Sequence, residues 1–219
     1  MSDMKDRIEA VLRRVPPHVT VLAAAKGVDA ERLSEALTAG IGVLGENRIP
    51  EARRARQSVT APAEWHFIGR LRAHDVRAAN VAIFDVIQTV DSFDIAARLD
   101  AVATRADRQL PIYIEVNSAK EPQKGGVLPE QALDFVHAVA LLPHLRIEGL
   151  MTMGPLCPSR DAYRPFFSAT RRLFEEIRSL AIPGVTMQHL SMGTSDSYEV
   201  AIEEGATMVR LGTTLFGPR

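Results

Sequence analysis

The sequence predicts an α/β protein with the architecture of a (β/α)₈ barrel, a TIM barrel, and three observations support this. Apolar runs of strand length, rich in β-branched residues, recur eight times along the chain. Stretches with helical periodicity separate these runs. The length of 219 residues suits a compact barrel of this class. A doubly wound open sheet is the alternative. We expect one domain over residues 1–219, because no linker-like or repeated segment divides the chain.

The first predicted element is an additional amphipathic helix before the barrel. Met4, Ile8 and Val11 are spaced for one helical face, and this helix should end at Pro16 and Pro17. The eight predicted strands follow in chain order at residues 19–26, 41–47, 64–69, 84–91, 111–117, 146–153, 186–193 and 208–215.

Helices between the strands are predicted from their terminal residues and apolar faces. Asp29 is a typical N-cap for the first of them. Apolar residues of one face run from residue 161 to 180, which predicts a long helix. Asp196 and Glu199 resemble a capping box at the start of a later helix. After the third strand the pattern is weaker and indicates only a short helix over 74–80.

Composition and charge exclude several classes of protein. The formal net charge is −1 and no block of basic residues dominates, so the chain lacks the electrostatic character of a nucleic-acid binder. Cys157 is the single cysteine, which excludes an internal disulfide and a cysteine-based metal site, and no metal is expected. The first residues are acidic and polar, unlike a signal peptide, and no apolar stretch approaches membrane-span length. We therefore expect a cytoplasmic protein that contacts neither membrane nor nucleic acid.

Lys26 is the first candidate for chemistry. It ends the predicted first strand, whose alternation places Leu22, Ala24 and Lys26 on one face. The small side chain of Ala24 leaves room beneath the lysine. In a closed barrel the first and eighth strands are neighbours, so Lys26 and Arg210 should lie side by side, whereas an open sheet could separate them. A partly desolvated lysine amine is a nucleophile suited to covalent chemistry.

The loops after the seventh and eighth strands predict a phosphate site, where barrels of this class often bind phosphate. Ser191, Gly193, Thr194 and Ser195 offer hydroxyls and a flexible backbone just before a helix start. Gly212 and Thr213 allow close backbone approach and add a hydroxyl. Either loop alone could consist of ordinary turn residues. Two such loops on adjacent strands, beside an inward lysine, favour phosphate binding.

Three further residues are weaker candidates for ligand contact. Asn47 ends the second strand and could hydrogen-bond a ligand or cap a loop. His66 could contact a ligand or be a satisfied core histidine. Met151 could contact a cofactor or fill the barrel.

Several short motifs, taken in order, resemble one family. They are Ala24-Ala25-Lys26, Gly45-Glu46-Asn47, Trp65-His66-Phe67-Ile68-Gly69, Leu190-Ser191-Met192-Gly193, Ser195-Asp196 and Met208-Val209-Arg210-Leu211-Gly212. Together they resemble the pyridoxal phosphate homeostasis proteins, which are single-domain relatives of the alanine racemase N-terminal barrel. The resemblance covers nearly the whole chain, and the motifs are specific because all of them occur in register.

The resemblance implies a fold-type III barrel that holds pyridoxal 5′-phosphate (PLP) as a Schiff base on Lys26. It also implies phosphate contacts from Ser191, Gly212, Thr213 and nearby backbone amides, with Arg210 facing the pyridine nitrogen. The implied function is intracellular PLP homeostasis, in which bound PLP exchanges with apo-enzymes or free amino acids, without robust catalysis and with no catalytic residue. We expect a monomer.

Two alternatives stay open on the sequence. One is a low-activity PLP-dependent racemase or related enzyme, with Lys26 as one base and water or His66 opposite. It is the less expected reading, because alanine racemases take the opposing tyrosine from an additional domain of a partner subunit, and this chain ends soon after the eighth strand. The other is a phosphate-binding barrel enzyme without PLP, in which Lys26 is only electrostatic.

One loop departs from the family pattern. Arg72, His74 and Asp75 stand where the family typically has Gln, Asn and Lys. A family role for that loop in partner contact or in the control of cofactor exchange is therefore not carried over to this chain.

Overall fold

The computed structural model describes residues 3–218, in which eight parallel strands close into a barrel. The strands are Thr20–Ala24 (β1), Val43–Glu46 (β2), Glu64–Phe67 (β3), Val86–Val90 (β4), Leu110–Val116 (β5), Leu145–Thr152 (β6), Val185–Ser191 (β7) and Met208–Leu211 (β8). Each strand pairs with the next in sequence, and β1 pairs with β8. The predicted (β/α)₈ barrel is confirmed, and the open-sheet alternative is wrong.

Helices surround the barrel and connect its strands. They are Asp3–Arg14 (α1), Ala30–Thr38 (α2), Ile49–Ser58 (α3), Ala78–Val81 (α4), Phe93–Arg105 (α5), Ala132–Ala140 (α6), Arg164–Ser179 (α7), Tyr198–Glu203 (α8) and Thr213–Phe216 (α9). Short 3₁₀ helices lie at Ala73–Asp75, Pro129–Gln131 and Asp161–Tyr163. The additional N-terminal helix is present as α1, with Met4, Ile8 and Val11 buried as predicted. Within residues 3–218 no helix combines the length and apolar character needed to cross a membrane.

Local capping explains where α2 and α8 begin. Asp29 is the N-cap of α2, and its Oδ1 accepts the Arg32 N–H at 2.9 Å, as the sequence predicts. The predicted capping box at Asp196 is wrong, because α8 begins later, after Ser197. The Ser197 hydroxyl accepts the Thr194 N–H at 3.1 Å and holds a turn before the helix starts. Glu199 instead forms an ion pair with Arg160.

All eight strands end one to four residues earlier than predicted, and the ends of β1 and β8 matter most for the barrel mouth. β1 ends at Ala24, so Lys26 lies in the turn beyond the strand. β8 ends at Leu211, and the residues expected to continue it form the single helical turn of α9. There the N–H groups of Leu215 and Phe216 bond the Gly212 carbonyl at 3.0 and 2.9 Å, which replaces sheet pairing with helical pairing. Both strands therefore stop where loops form the barrel mouth.

The core has an inner and an outer part. The inner part fills the barrel with alternate side chains of the strands, namely Leu22, Val43, Val86, Tyr113, Met151 and Met208. The outer part is larger and lies between the strands and the helices. Because Leu22 faces the interior, the alternation predicted for the first strand is confirmed as far as Ala24, the last residue of β1.

Candidate functional site

Lys26 lies at the C-terminal mouth of the barrel, in an exposed turn after β1. Gly27 follows with a positive φ of 69°, a conformation that a glycine adopts without steric cost. The Gly27 N–H donates to Glu51 Oε2 on α3 at 3.3 Å, which ties the turn to the outer helix layer. The Lys26 amine thus lies on a turn that a hydrogen bond fixes to α3, and it is accessible from solvent.

Arg210 lies inside the barrel below this mouth. The register of β1 and β8 pairs Arg210 with Leu22, so Lys26 is four positions further toward the mouth rather than beside the arginine as the sequence suggested. The Arg210 side chain is buried, and its Nη2 donates to the Thr152 carbonyl at 2.8 Å. Burial lowers the pKa of Arg210 to about 10, while the nearby Glu115 carboxylate raises it, so the guanidinium stays protonated at neutral pH.

A chain of hydrogen bonds continues from Arg210 through the barrel interior. Arg210 Nη1 donates to Ser191 Oγ at 2.7 Å, and that hydroxyl donates to Gln88 Oε1 at 2.7 Å. Gln88 Nε2 donates in turn to His66 Nδ1 at 2.6 Å. The opposite ring nitrogen, His66 Nε2, lies 3.0 Å from Glu64 Oε1 near the other end of the barrel. The buried guanidinium is therefore held by a directed polar chain.

A group of backbone donors faces Ser195 beside this chain. The N–H groups of Gly212 and Thr214 converge on Ser195 Oγ at 3.3 and 3.2 Å. Gly193, with φ of +90°, turns the chain so that its carbonyl accepts the Arg210 N–H at 3.0 Å. The turns after β7 and β8 thus lie together, as predicted, and present amide donors at one place.

Two carboxylates stand at the mouth on the side of β4 and β5. Asp91 Oδ2 accepts the Gly126 N–H at 3.2 Å, and Glu115 Oε2 lies within 3.5 Å of the position a Cβ would take at Gly125. Burial raises the pKa of Glu115 to about 7, helped by the Asp91 carboxylate, whereas the cations Arg210 and Arg70 act in the opposite direction. Glu115 can thus gain and lose a proton near neutral pH.

The other predicted site residues lie either at the barrel mouth or in the barrel interior. Asn47 follows β2 at the mouth, where its carbonyl packs so closely on Gly69 that a Cβ there would lie 2.1 Å away. Thr194 lies at the mouth in the turn after β7. His66 and Met151 are buried in the barrel interior, each 1% exposed.

The divergent loop after β3 is locally ordered. Asp75 Oδ2 accepts the Arg72 N–H at 3.2 Å and closes a 3₁₀ turn. His74 Nε2 lies 3.5 Å from Asp75 Oδ1 at the surface. The Asp75 carboxylate thus contacts both the Arg72 backbone and the His74 ring.

Gln88, Asp91 and Glu115 were not selected from the sequence as site residues. Gln88 and Thr89 are the two polar residues of β4, and the period-2 alternation of Gln88 with Val86 is the signal that Gln88 faces the interior. Ser195 was expected from the sequence as a hydroxyl of the phosphate loop after the seventh strand and as part of a family motif.

Fold and site together define a barrel of the alanine racemase type, and the comparisons agree. The family model for the alanine racemase N-terminal domain matches residues 1–219, and the chain therefore belongs to this family. Among its relatives is a pyridoxal phosphate homeostasis protein of Aquifex aeolicus, 37% identical over 200 residues, which are 91% of this chain and 86% of the relative. A protein of the same name from Escherichia coli is 33% identical over 226 residues, 100% of this chain and 95% of the relative. The resemblance predicted from the motifs is confirmed.

Solved structures give the same result. PipY of Synechococcus elongatus, with PLP bound, has a TM-score of 0.89 and 29% identity, and the match covers 98% of this chain and 100% of that chain. An alanine racemase of Clostridium difficile has a TM-score of 0.83 at 14% identity and shares the fold. This chain spans 57% of the length of that racemase chain.

Proposed function

We propose that this protein binds PLP through Lys26 and serves intracellular PLP homeostasis. The observation that carries the proposal is the placement of three chemical groups on neighbouring strands. A braced, accessible lysine follows β1, a buried guanidinium lies on β8, and amide donors of Gly212 and Thr214 converge beside β7. The names of the relatives and the PLP-bound PipY support the same ligand.

The residues of the site fit the aldehyde and the phosphate of PLP. PLP supplies an aldehyde, which condenses with a primary amine to form a C=N bond with release of one water. Lys26 Nζ is the amine of this site. The converging N–H groups beside Ser195 suit a phosphate, because backbone amides bind anions without requiring a counter-charge. The proposed phosphate contacts are made by Gly193, Thr194, Ser195, Gly212, Thr213 and Thr214.

Arg210 is proposed to face the pyridine nitrogen. A protonated guanidinium only donates hydrogen bonds, so it leaves such a nitrogen unprotonated. An unprotonated ring is a weak electron sink, which favours holding the ligand over catalysis by it. Ser191 and Gln88 fix the guanidinium from below, and we assign Ser191 this positioning task. Asn47 is a proposed contact at the mouth.

His66 and Met151 are buried in the barrel interior, and we propose that they act on the ligand indirectly. His66 acts through Gln88 at the end of the polar chain, and Met151 supports the ligand from within the barrel filling. One chain supplies all the groups named for the site, which supports action as a monomer and a single domain over residues 1–219. Exchange of PLP with apo-enzymes or free amino acids, in the cytoplasm, completes the proposal.

The visible spectrum of the purified protein tests it. The wild type should be yellow or become so with added PLP, and borohydride reduction should fix the ligand to the peptide that contains Lys26. Lys26→Ala should lose both signals, whereas Lys120→Ala, which removes a surface lysine paired with Glu130, should keep them. A wild type that takes up no PLP, or that is reduced at another lysine, contradicts the proposal.

A second candidate function is weak racemase or related activity on amino acids. Glu115 favours it, since a carboxyl with a pKa of about 7 near Arg210 can accept and return a proton. The measurement is deuterium exchange at Cα of several amino acids, compared with free PLP. Exchange above that background which Glu115→Gln abolishes would establish the enzyme, and background exchange leaves the binding function alone.

A further inference from the structure

A cavity of about 240 Å³ lies between the turn after β1, the first turn of α2 and the turn after β8. Its walls include Ala24, Gly27, Gly212, Thr213 and Phe216. Among the described residues that line it, Arg32 is the one charged side chain, and no carboxylate lines it. The one charge that lines the cavity is therefore positive, and the cavity borders Gly212 and Thr213 on one side and the turn that contains Lys26 on the other.

Arg32 is held in place through both its backbone and its guanidinium. Its backbone N–H is bonded to the Asp29 N-cap, which fixes its position in the first turn of α2. Its Nη2 donates to the Phe216 carbonyl at the end of α9, and its Cζ lies 5.7 Å from the centroid of the Phe216 ring. Arg7 Nε donates to the neighbouring Leu215 carbonyl at 3.2 Å, so α9 is also held from α1. A guanidinium with five N–H donors is thus fixed at the cavity with donors left for a ligand.

We propose that Arg32 binds the phosphate of PLP and makes the site selective for the phosphorylated vitamer, an inference that rests on the proposed function. A phosphate monoester carries between one and two negative charges at neutral pH, and arginine matches its oxygens with two parallel hydrogen bonds. The uncharged Gly212 and Thr213 line the cavity, whereas Arg210 is engaged inside the barrel by Ser191 and Thr152. Arg32 supplies the cation on the phosphate side.

Equilibrium binding of PLP and of pyridoxal, which lacks the phosphate, tests the inference. Arg32→Ala should weaken PLP binding about tenfold or more, the range of a charge-assisted hydrogen bond. Pyridoxal binding should change by less than about twofold, because the lost contact is to phosphate alone. Arg105→Ala, an exposed arginine at the end of α5, is the matched control and should bind both ligands as the wild type does.

Protection of the wild type from an arginine-directed dicarbonyl reagent provides a test that does not depend on the folding of a variant. PLP should protect Arg32 from phenylglyoxal, and pyridoxal should not. Equal loss of affinity for both ligands in Arg32→Ala, or unprotected Arg32 in the PLP complex, would show that Arg32 only clamps Phe216 and would overturn the inference. If the wild type takes up PLP and Arg32→Ala binds PLP with the same affinity, this inference is overturned and the proposed function is not. A wild type that takes up no PLP overturns the proposed function and this inference with it.

Discussion

Arg210 Nη1 and Ser191 Oγ lie 2.7 Å apart on the adjacent strands β8 and β7, in the interior of the barrel. Ser191 is fully buried, and its hydroxyl both accepts from the guanidinium and donates to Gln88. A buried charge is costly unless hydrogen bonds satisfy it. This serine therefore lets the barrel hold a cation beneath its mouth.

Ser191→Ala should lower the stability of the fold. The substitution leaves an Arg210 N–H and the Gln88 carbonyl oxygen without their partner in a buried place, and each such orphan costs about 1–3 kcal/mol. We expect a loss of about 2 kcal/mol or more in the free energy of unfolding, measured by denaturant titration. Ser58→Ala is the control, because Ser58 is exposed at the end of α3. Equal stability of the two variants would contradict this account of Ser191.

Much of the fold could be predicted because the strands carry strong local signals. The apolar, β-branched run before Lys26 and the alternation of Leu22 and Ala24 indicate both a strand and its inward face. The number of strands then indicates closure. Their register cannot be obtained in this way, since pairing of Arg210 with Leu22 depends on the tilt and stagger of the whole barrel.

The site could be predicted in outline for a related reason. Lys26 and Gly212 lie at strand ends, where loops of such barrels carry function. The partners of Ser191 could not be predicted, because Gln88 lies 103 residues away and its contact exists only once the strands enclose a common interior. The helical turn of α9 was also missed, since the bonds to the Gly212 carbonyl that define it are not visible in an apolar pattern.

Gly193→Ala and Gly212→Ala should have opposite consequences. At Gly193 a Cβ would lie 2.5 Å from Ala201 Cβ, and the backbone has a φ of +90°. Overpacking together with this left-handed conformation should cost about 2 kcal/mol or more. At Gly212 a Cβ would lie 3.7 Å from Ala24 Cβ, an ordinary contact. That variant should keep its stability and lose affinity for PLP, because the methyl group enters the ligand side.

Thermal or denaturant unfolding, followed by PLP titration of each variant, checks this pair of predictions. A stable Gly193→Ala would show that the turn after β7 can rearrange around Ala201. Wild-type PLP affinity in Gly212→Ala would show that the ligand does not approach this backbone.

Glu46→Gln should raise the free energy of unfolding relative to the wild type, and this gain should be larger at alkaline pH than at acidic pH. Glu46 is 1% exposed, and its Oε2 has no hydrogen-bond partner among the described residues. Burial raises the pKa of Glu46 from 4.5 to about 7, with the Glu51 carboxylate adding to the effect and the Asn47 N–H opposing it. Between pH 4.5, the pKa in the unfolded state, and about pH 7, the pKa in the native state, the native state binds more protons than the unfolded state. The free energy of unfolding of the wild type therefore falls as the pH rises through this range.

Glutamine carries no charge and should remove that fall. The stability difference between Glu46→Gln and the wild type should therefore be about 1–2 kcal/mol more favourable at pH 8.5 than at pH 5.5. Denaturant unfolding at both pH values measures it, and the contribution of Glu115 cancels because both proteins contain it. Glu31→Gln is the control, since water solvates this exposed α2 carboxylate in the folded and unfolded states alike. A Glu46→Gln difference that is the same at both pH values would show that Glu46 keeps its charge in the fold.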